Sequence, residues 1–320
     1  MAGSKVTFRI QRFDPSVDRE PRDQDFEIEL PPGITILKAL HKIRAENDPT
    51  LALRYSCGSA ICGSCAMKVN GHARLTCKTQ VSDCVSNGVL RVGPMGNLKV
   101  LRDLVVDMEP FLASLGKVKP YLVAGNGPAP EHERRQSPEE FLEIDPSTTC
   151  ILCAACYSDC NVLEVDERFL GPASLAKAHR FIFDSRDVVT ADRMRAISEK
   201  TGVWDCTHCG ECSTRCPTET KPLERIEEIR TKAMADGLHG NAGARHALGF
   251  RETVGKRGLL DENYLPARSM GFLNLPGLLS LAPVGLRMLL RGKNPPLRPP
   301  SIDNVDEVKK TFARFEELRK

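Results

Sequence analysis

Residues 57–65 read Cys57-Gly58-Ser59-Ala60-Ile61-Cys62-Gly63-Ser64-Cys65, and a further cysteine, Cys77, follows after eleven residues. Separations of four and then two residues between the first three cysteines are typical of plant-type [2Fe–2S] ligands. Small residues between them let backbone N–H groups approach the sulfur atoms, where they stabilise an added electron. A zinc site is the alternative, but zinc sites favour two C-x2-C pairs. The stretch therefore predicts a [2Fe–2S] centre with the ligands Cys57, Cys62, Cys65 and Cys77.

The residues around this stretch predict a small α+β domain. Alternating apolar residues indicate strands, helical spacing indicates helices, and Asn70-Gly71 is typical of a hairpin turn. The predicted elements are strands at 6–13 and 25–30, a helix at 34–45, a hairpin of 66–69 with 72–76, and an amphipathic helix at 101–115.

Two further cysteine runs follow in the second half of the chain. They are Cys150-x2-Cys153-x2-Cys156-x3-Cys160 and Cys206-x2-Cys209-x2-Cys212-x3-Cys216-Pro217. In the bacterial-type run of this spacing, the fourth cysteine ligates the other cluster. One [4Fe–4S] cluster is therefore predicted on Cys150, Cys153, Cys156 and Cys216, and a second one on Cys206, Cys209, Cys212 and Cys160. Cys84 is left over, and we interpret it as a small buried apolar residue.

Composition narrows the class of protein. The chain has 320 residues, 41% of them hydrophobic and 27% charged, which is typical of a soluble globular protein. A net charge of +3 gives no electrostatic argument for a nucleic-acid partner. Thirteen cysteines cannot all pair, and the first residues show no secretory pattern, so we expect a reducing compartment. Residues 269–286 carry no charge but contain two prolines and three glycines, so we do not expect a membrane span there.

The rest of the chain indicates an electron carrier without substrate chemistry of its own. No nucleotide-binding glycine motif, no Walker loop and no H-E-x-x-H motif is present. His208, inside the third cysteine loop, is the candidate contact with an electron acceptor, and a solvent-facing loop histidine is the alternative. Helices are expected at 174–183, 191–200 and 222–235. The predicted regions are a ferredoxin domain at 1–118, a connection at 119–146, a helical domain with two cubane clusters at 147–262, and a C-terminal extension at 263–320 that contacts a partner or a membrane surface.

The sequence resembles the iron–sulfur subunits of succinate dehydrogenase and fumarate reductase. The resemblance rests on the motifs at 54–65, Cys150-Ile151-Leu152-Cys153, Gly171-Pro172-Ala173, Asp184-Ser185-Arg186-Asp187 and Cys216-Pro217. It implies an N-terminal β-grasp ferredoxin domain and a C-terminal α-helical ferredoxin domain. It also implies a FAD-containing flavoprotein partner near the [2Fe–2S] cluster, a quinone or another acceptor near the last cluster, and a peripheral position on the cytoplasmic side of the inner membrane through partner subunits.

Two positions depart from the family, and the tail adds a third feature. Cys160 is followed by Asn161-Val162-Leu163 instead of proline and tryptophan, so the resemblance does not imply the usual quinone pocket. Many members have an apolar residue in place of Cys209 and hold a [3Fe–4S] cluster, whereas here a fourth thiol is available. Residues 285–293 and 308–310 resemble the end of heterodisulfide-reductase small subunits. Together these features favour the subtype with a cysteine-rich, heterodisulfide-reductase-like third subunit over one with a haem-bearing membrane anchor.

Several alternatives remain open from the sequence. The third cluster is [3Fe–4S] if Cys209 is not a ligand. The chain could belong to a thiol-linked fumarate reductase, or it could be a free-standing ferredoxin-like carrier. A zinc-stabilised interaction module is a further class, and it predicts a colourless protein.

Overall fold

The computed structural model of the chain describes residues 4–125, 131–199, 201–296 and 299–318. Contacts between residues divide the chain into two units, residues 1–231 and residues 232–320. All thirteen cysteines are free thiols and lie in the first unit, so every candidate centre belongs to it.

A five-stranded sheet forms the N-terminal part of the first unit. Its strands are β1 (Ser4–Arg12), β2 (Arg22–Leu30), β3 (Ala66–Val69), β4 (His72–Leu75) and β5 (Val89–Gly93). Their order in the sheet is β2-β1-β5-β3-β4. Strand β1 pairs antiparallel with β2 and parallel with β5, and β3 pairs antiparallel with β5 and β4. The predicted strands and the Asn70-Gly71 hairpin are confirmed, while β5 was not predicted.

The core of this part lies between the sheet and helix α1 (Ile36–Glu46). Alternate residues of the first two strands face inward, because successive side chains of a strand point to opposite faces. The buried side chains are Val6, Phe8 and Ile10 of β1, Phe26, Ile28 and Leu30 of β2, and Ile36, Leu37, Leu40 and Ile43 of α1. The helix begins where the Thr35 hydroxyl accepts a hydrogen bond from the Lys38 N–H group, at 3.4 Å.

The predicted helix at 101–115 is wrong in its first half. Strands β6 (Val100–Arg102) and β7 (Val105–Val106) form a second small sheet there, and helix α2 spans only Glu109–Lys117. The turn between them contains Asp103, which is buried and has a φ of 46°. Its carboxylate accepts hydrogen bonds from the N–H groups of Phe13 at 3.0 Å and Ala52 at 2.9 Å. These contacts with distant residues hold a conformation that a helix cannot contain.

The remainder of the first unit is helical, as predicted. It contains α3 (Pro138–Thr148), α4 (Ala155–Ser158), α5 (Asn161–Val165), α6 (Pro172–Ile182), α7 (Thr190–Ile197), a 3-10 turn (Val203–Asp205), α8 (Glu211–Arg215) and most of α9 (Pro222–Ala235). Helix α3 begins inside residues 119–146, which are predicted from the sequence to be a connection. Ser137 and Glu140 form a capping box at its start, each side chain accepting a hydrogen bond from the other residue's N–H group.

Buried carboxylates of residues 184–187 hold the turn between α6 and α7. Asp184 accepts hydrogen bonds from the Arg186 N–H group at 3.1 Å and from its guanidinium at 2.8 Å. Asp187 forms an ion pair with Arg193 at 2.8 Å, and both side chains are almost fully buried. These motif residues therefore form internal contacts that stabilise the fold.

The second unit is a group of helices. They are α10 (Ala242–Arg257), α11 (Tyr264–Met270), α12 (Leu275–Ser280), α13 (Ala282–Leu290) and α14 (Val305–Leu318). Helix α10 packs against α11 and α14, and the Tyr264 hydroxyl donates to the Glu252 carboxylate at 2.8 Å. Among the described helices, none combines the length and the apolar sequence that a membrane span requires.

Candidate iron–sulfur centres

The first cysteine loop, between α1 and β3, directs backbone N–H groups at sulfur. Gly58, Ala60 and Gly63 have φ values of 66°, 58° and 72°, which turns the chain tightly around one point. The N–H groups of Ser59, Ile61 and Cys62 donate to Cys57 Sγ at 3.3, 3.4 and 3.4 Å.

The same loop also serves the sulfur atoms of the other cysteines. The Ala60 N–H group donates to Cys77 Sγ at 3.2 Å, so the loop reaches the cysteine beyond the hairpin. The Cys57 N–H group donates to Cys62 Sγ at 3.5 Å. N–H groups aimed at sulfur stabilise negative charge there. Three of the predicted [2Fe–2S] ligands, Cys57, Cys62 and Cys65, therefore lie in this loop. The fourth, Cys77, accepts a hydrogen bond from it.

The thiols of this loop have unequal environments. The Ser64 hydroxyl lies 3.1 Å from Cys62 Sγ and is the main cause that lowers the pKa of the Cys62 thiol to about 6. Burial raises the pKa of the Cys65 thiol to about 11. Cys57 and Cys62 are exposed, whereas Cys65 is buried. One side of the candidate centre therefore faces the surface of the first unit.

The second and third cysteine loops have matching backbone conformations. In the second loop, Leu152 and Ala154 have φ values of 55° and 60°. In the third loop, the corresponding residues His208 and Gly210 have φ values of 58° and 82°. Each loop then leads into a short helix, α4 or α8, and these two helices pack against each other. The two cysteine runs are thus a pair of similar structural motifs facing one another.

The first three cysteines of the second loop interact with the last cysteine of the third run. Burial, together with the charges of Cys150 and Cys216, raises the pKa of the Cys153 thiol to about 11. Burial is also the main cause that raises the pKa of Cys150 and Cys156, and Cys216 adds to both. Cys216 lines the same pocket as Cys150, Cys153 and Cys156, although it is 60 residues or more away from them in the chain.

A second group forms around the third loop in the same crossed manner. Burial raises the pKa of Cys160, and the charges of Cys206 and Cys209 add to the rise. Burial raises the pKa of Cys212 to about 12, with contributions from Cys206, Cys160 and Cys209. Cys212 also interacts with Cys156 of the first group, so the two groups are neighbours.

The chemistry of these thiols suits iron–sulfur clusters. Buried thiols with raised pKa values need nearby positive charge to become thiolates, and bound iron supplies it. Backbone N–H groups oppose the effect of burial on several of them; these are Leu152 to Cys150, Ala155 to Cys153, Val162 and Leu163 to Cys160, His208 to Cys206, and Ser213 to Cys212. In the described part of the chain, no three His, Cys, Asp or Glu side chains are arranged to hold one metal ion.

The first and second cysteine loops touch each other directly. A Cβ atom on Gly63 would lie 2.7 Å from Cys153 Cβ and 2.8 Å from Cys153 Cα. Distances below 3.0 Å are too short for such atoms, so only glycine permits this approach. A cavity of about 200 Å³ beside it is lined by Cys62, Gly63, Ser64, Met67, Met95, Met108, Leu152 and Cys153, among others.

Polar contacts fix the sheet against the cysteine loops, and the sequence did not reveal them. The Asp159 carboxylate accepts a hydrogen bond from the Ala73 N–H group in β4, at 2.8 Å. It also lies 3.4 Å from Arg215 Nε and 3.8 Å from Lys68 Nζ. The Asn97 amide donates to the carbonyl groups of Tyr157 and Cys160, both at 2.8 Å.

His208 and Cys209 lie at the exposed end of the second thiol group. The His208 ring contacts the guanidinium of Arg230, which donates to the Cys206 carbonyl at 2.8 Å and lies over the Trp204 ring. Burial and then Arg230 lower the pKa of His208. Cys209 is exposed, and its thiol donates to Asn161 Oδ1 at 3.3 Å.

Cys84 lies apart from these groups. It is buried, and burial raises its pKa. The charges that act on it are those of Arg74 and Asp83, and no cysteine is among them.

Two known families match the parts of the chain that contain the cysteine loops. Residues 7–113 match the family described as 2Fe-2S iron-sulfur cluster binding domain, and residues 146–220 match the 4Fe-4S dicluster domain family. The Mycobacterium smegmatis Sdh1 complex in the apo form contains a chain with the same fold. That match has a TM-score of 0.69 at 24% identity and covers 75% of this chain and 99% of that one.

Curated relatives are iron–sulfur subunits of two related enzymes. The succinate dehydrogenase iron-sulfur subunit of Coxiella burnetii is 41% identical over 238 residues, which is 73% of this chain and 100% of the relative. The fumarate reductase iron-sulfur subunit of Mycobacterium tuberculosis is 39% identical over 235 residues, 73% of this chain and 95% of the relative. The 8-methylmenaquinol:fumarate reductase iron-sulfur subunit of Wolinella succinogenes is 35% identical over 306 residues, 91% of this chain and 92% of the relative.

These matches confirm the resemblance found in the sequence, together with the two kinds of cluster. They also confirm the expectation of an electron-transfer role within an oxidoreductase complex. The chain belongs to the family of iron–sulfur electron-transfer subunits of succinate dehydrogenase and fumarate reductase.

Proposed function

We propose that the chain passes electrons between a FAD-containing flavoprotein subunit, on which succinate and fumarate interconvert, and a second acceptor. The observation that carries this proposal is that each of the three candidate centres contacts the next one. The first cysteine loop touches the second at Gly63 and Cys153, and Cys156 of the first cubane group interacts with Cys212 of the second. When bound, the clusters would act as one-electron carriers in the order [2Fe–2S], first cubane, second cubane. In this proposal the sheet part is a β-grasp ferredoxin domain and the part that follows is an α-helical ferredoxin domain.

We propose the following ligands for the three clusters. They are Cys57, Cys62, Cys65 and Cys77 for [2Fe–2S], Cys150, Cys153, Cys156 and Cys216 for the first [4Fe–4S], and Cys160, Cys206, Cys209 and Cys212 for the last. The protein holds these thiols in place, aims N–H groups at them and buries most of them. Each of these effects helps to set the reduction potential of the bound cluster.

Replacing the crossed cysteines tests this assignment. Cys216→Ser should impair the first [4Fe–4S] cluster, and Cys160→Ser should impair the last cluster. Iron content and electron paramagnetic resonance after reduction measure both effects. Cys84→Ser is the matched control, because Cys84 is buried but belongs to neither group. The assignment is wrong if Cys216→Ser removes the last cluster and leaves the first cubane intact.

We propose that Cys209 is a ligand and that the last cluster is [4Fe–4S]. Its support is the interaction of Cys209 with Cys160, Cys206 and Cys212. The oxidised protein, purified without oxygen, should be brown and silent in electron paramagnetic resonance, whereas Cys209→Ile should show the signal of an oxidised [3Fe–4S] cluster. A strong three-iron signal from the unaltered protein would mean that Cys209 is not a ligand.

The flavoprotein subunit is proposed to dock at the exposed side of the first loop. There, Ile61 is 69% exposed beside the exposed Cys57 and Cys62. Ile61→Asp should weaken co-purification with the flavoprotein without loss of iron, whereas Val17→Asp, at an exposed site between β1 and β2, should not. A chain that purifies alone from its own cells would instead be a free-standing carrier, and a colourless chain would favour a zinc module.

A quinone is the proposed acceptor at the last cluster, with His208 as a contact beside Cys209. The Wolinella succinogenes relative, which matches 91% of this chain, is named for 8-methylmenaquinol. The alternative is a thiol-linked fumarate reductase, so the complex should be assayed with a quinol and with a dithiol as donor. Co-purification of a cysteine-rich, heterodisulfide-reductase-like third subunit would support the proposed subtype, and a haem-bearing anchor would contradict it.

A further inference from the structure

The second unit exposes a run of large apolar side chains. Among the described residues, neither α12 nor α13 buries any side chain. The exposed apolar residues of this run, residues 272–290, are Phe272, Leu273, Leu275, Leu279, Val284, Leu286, Leu289 and Leu290. Two of them are nearly as exposed as in an extended chain, Leu273 at 97% and Leu290 at 77%. Leucines exposed in this number on adjacent helices form a patch that marks an interaction site.

The charged residues within this stretch of the sequence are all basic. The sequence contains no Asp or Glu between Glu262 and Asp303, whereas the same interval contains Arg268, Arg287, Arg291, Lys293 and Arg298. Arg268 is paired with Glu252 at 3.3 Å. Arg287 and Arg291 lie one helical turn apart at the end of α13, and Leu286 and Leu290 lie one turn apart beside them. Helix α13 therefore ends with a basic row next to an apolar row.

We propose that residues 272–293 bind the surface of an anionic phospholipid bilayer, with the leucines in the interface and the basic side chains at the headgroups. An apolar face flanked by Lys and Arg is the pattern of helices that lie in the membrane plane. The composition fits a protein partner less well, because the binding energy of protein interfaces is concentrated in hot spots of Trp, Tyr and Arg, among which Leu is under-represented. Phe272 is the one aromatic residue of the segment.

The local structure suits this position. Asn274 caps α12 by accepting a hydrogen bond from the Gly277 N–H group at 3.1 Å, and Pro276 and Pro283 occupy first turns of α12 and α13. Helices as short as these are marginal in water unless a packed face supports them. A bilayer interface would supply that apolar contact. The proposal does not depend on the ligands or the electron acceptor proposed above.

Vesicle sedimentation tests the proposal with the full-length, cluster-containing chain. Vesicles of phosphatidylcholine with phosphatidylglycerol should bind it, and vesicles of phosphatidylcholine alone should bind it much more weakly. Each basic side chain near an anionic surface contributes about a fivefold change in binding. Arg287→Gln with Arg291→Gln should therefore weaken binding about 25-fold. Leu286→Ser with Leu290→Ser should abolish it.

Two control variants on α14 separate this patch from general surface effects. Arg314→Gln changes an exposed basic residue of the same unit, and Leu318→Ser changes a leucine that is 72% exposed. Neither should change binding by more than about twofold, since neither is in the patch. All variants should keep the visible absorption of the clusters.

Three results would overturn the proposal. The first is no sedimentation with anionic vesicles, and the second is equal loss in the α14 variants. The third is concentration-dependent dimerisation without lipid that Leu286→Ser with Leu290→Ser removes, because the occupant of the patch would then be a second copy of the chain. Loss of electron transfer in a variant that still binds vesicles would concern the proposed function alone.

Discussion

Arg193 offers the sharpest test of how the first unit is held together. Its guanidinium donates to both oxygens of Asp187, at 2.8 and 3.2 Å. It also donates to the carbonyl groups of Val118, Lys119 and Tyr121, at 3.1, 2.6 and 2.7 Å. One buried side chain thus fastens the chain after α2 to helix α7. Arg193→Met keeps most of the side-chain volume and removes every one of these donors.

The cost of this substitution follows from burial. The Arg193 and Asp187 side chains are 3% and 0% exposed, so Asp187 would remain as a buried carboxylate without its counter-charge. Removing one partner of a buried ion pair costs about 3–5 kcal/mol. For a unit of this size, that lowers the unfolding midpoint by roughly 6–20 °C.

The pH dependence provides an independent check. Burial raises the pKa of Asp187, but the hydrogen bonds from Arg193 and from the N–H groups of Val123 and Val189 outweigh it, so the pKa is below its ordinary value. The wild-type pair therefore contributes stability that is present above the ordinary pKa and is lost as the pH falls through the lowered one. Without Arg193, we expect burial to raise the pKa of Asp187. Protonation of Asp187 then removes the unpaired buried charge that destabilises the variant. The deficit of the variant should shrink as the pH falls.

Circular dichroism melting of the anaerobically purified protein, at two pH values, measures both effects. Arg195→Met is the matched control, because Arg195 lies on the same helix in an exposed pair with Asp192. Such a pair contributes about 1 kcal/mol or less. The reasoning is refuted if Arg193→Met and Arg195→Met melt within the same few degrees.

Three other outcomes are expected. Gly63→Ala should force the first two cysteine loops apart and slow electron flow from [2Fe–2S] to the first cubane, as seen by freeze-quench spectroscopy. Gly71→Ala, with a φ of +86° but nothing within 4 Å of the added Cβ, is its control. Cys84→Ala should leave the iron content unchanged. Burial lowers the pKa of His179 more than Glu228 raises it, so stability from the neutral ring should be lost as the pH falls below about 6.5, and His179→Gln should abolish that loss.

The sequence predicted the features that local chemistry determines. Cluster ligands must follow a fixed spacing, so the three cysteine loops were found from cysteine positions alone. Asn70 and Gly71 adopt the positive φ values, 50° and 86°, that a two-residue hairpin turn requires. The prediction of a helix at 222–235 agrees with α9, whose apolar residues recur at helical spacing.

The region around Asp103 was not predictable in this way. Its apolar residues have helical spacing, but the carboxylate of Asp103 binds N–H groups that lie 51 and 90 residues earlier in the chain. A window of neighbouring residues contains none of that information. Helix α3 is different, because Ser137 and Glu140 give a capping signal in the sequence, which the surrounding prolines and charges obscured.

The contacts that position the centres relative to one another were also invisible in the sequence. Asp159 lies one residue before Cys160, yet its hydrogen bond goes to Ala73, 86 residues earlier. Asn97 looks like an ordinary turn residue, with a φ of 58°, until its amide is seen to bind the carbonyl groups beside Cys160. Such pairings depend on how two parts of the unit pack, and that packing is known only from the structure.

These contacts matter more for this protein than for an enzyme with its own substrate site. In the proposed relay the chain makes and breaks no bond in a substrate, so its contribution to the rate is the distance and orientation that it imposes on its clusters. In this proposal the cysteines bind the clusters, whereas Gly63, Asp159 and Asn97 set how closely the carriers approach. Asp159 connects the sheet with the helical part of the unit, because it accepts a hydrogen bond from Ala73 of the sheet and pairs with Arg215 of α8. Substitutions at these positions should therefore slow electron transfer while leaving the iron content intact, which is the opposite of what substitution of a ligand does.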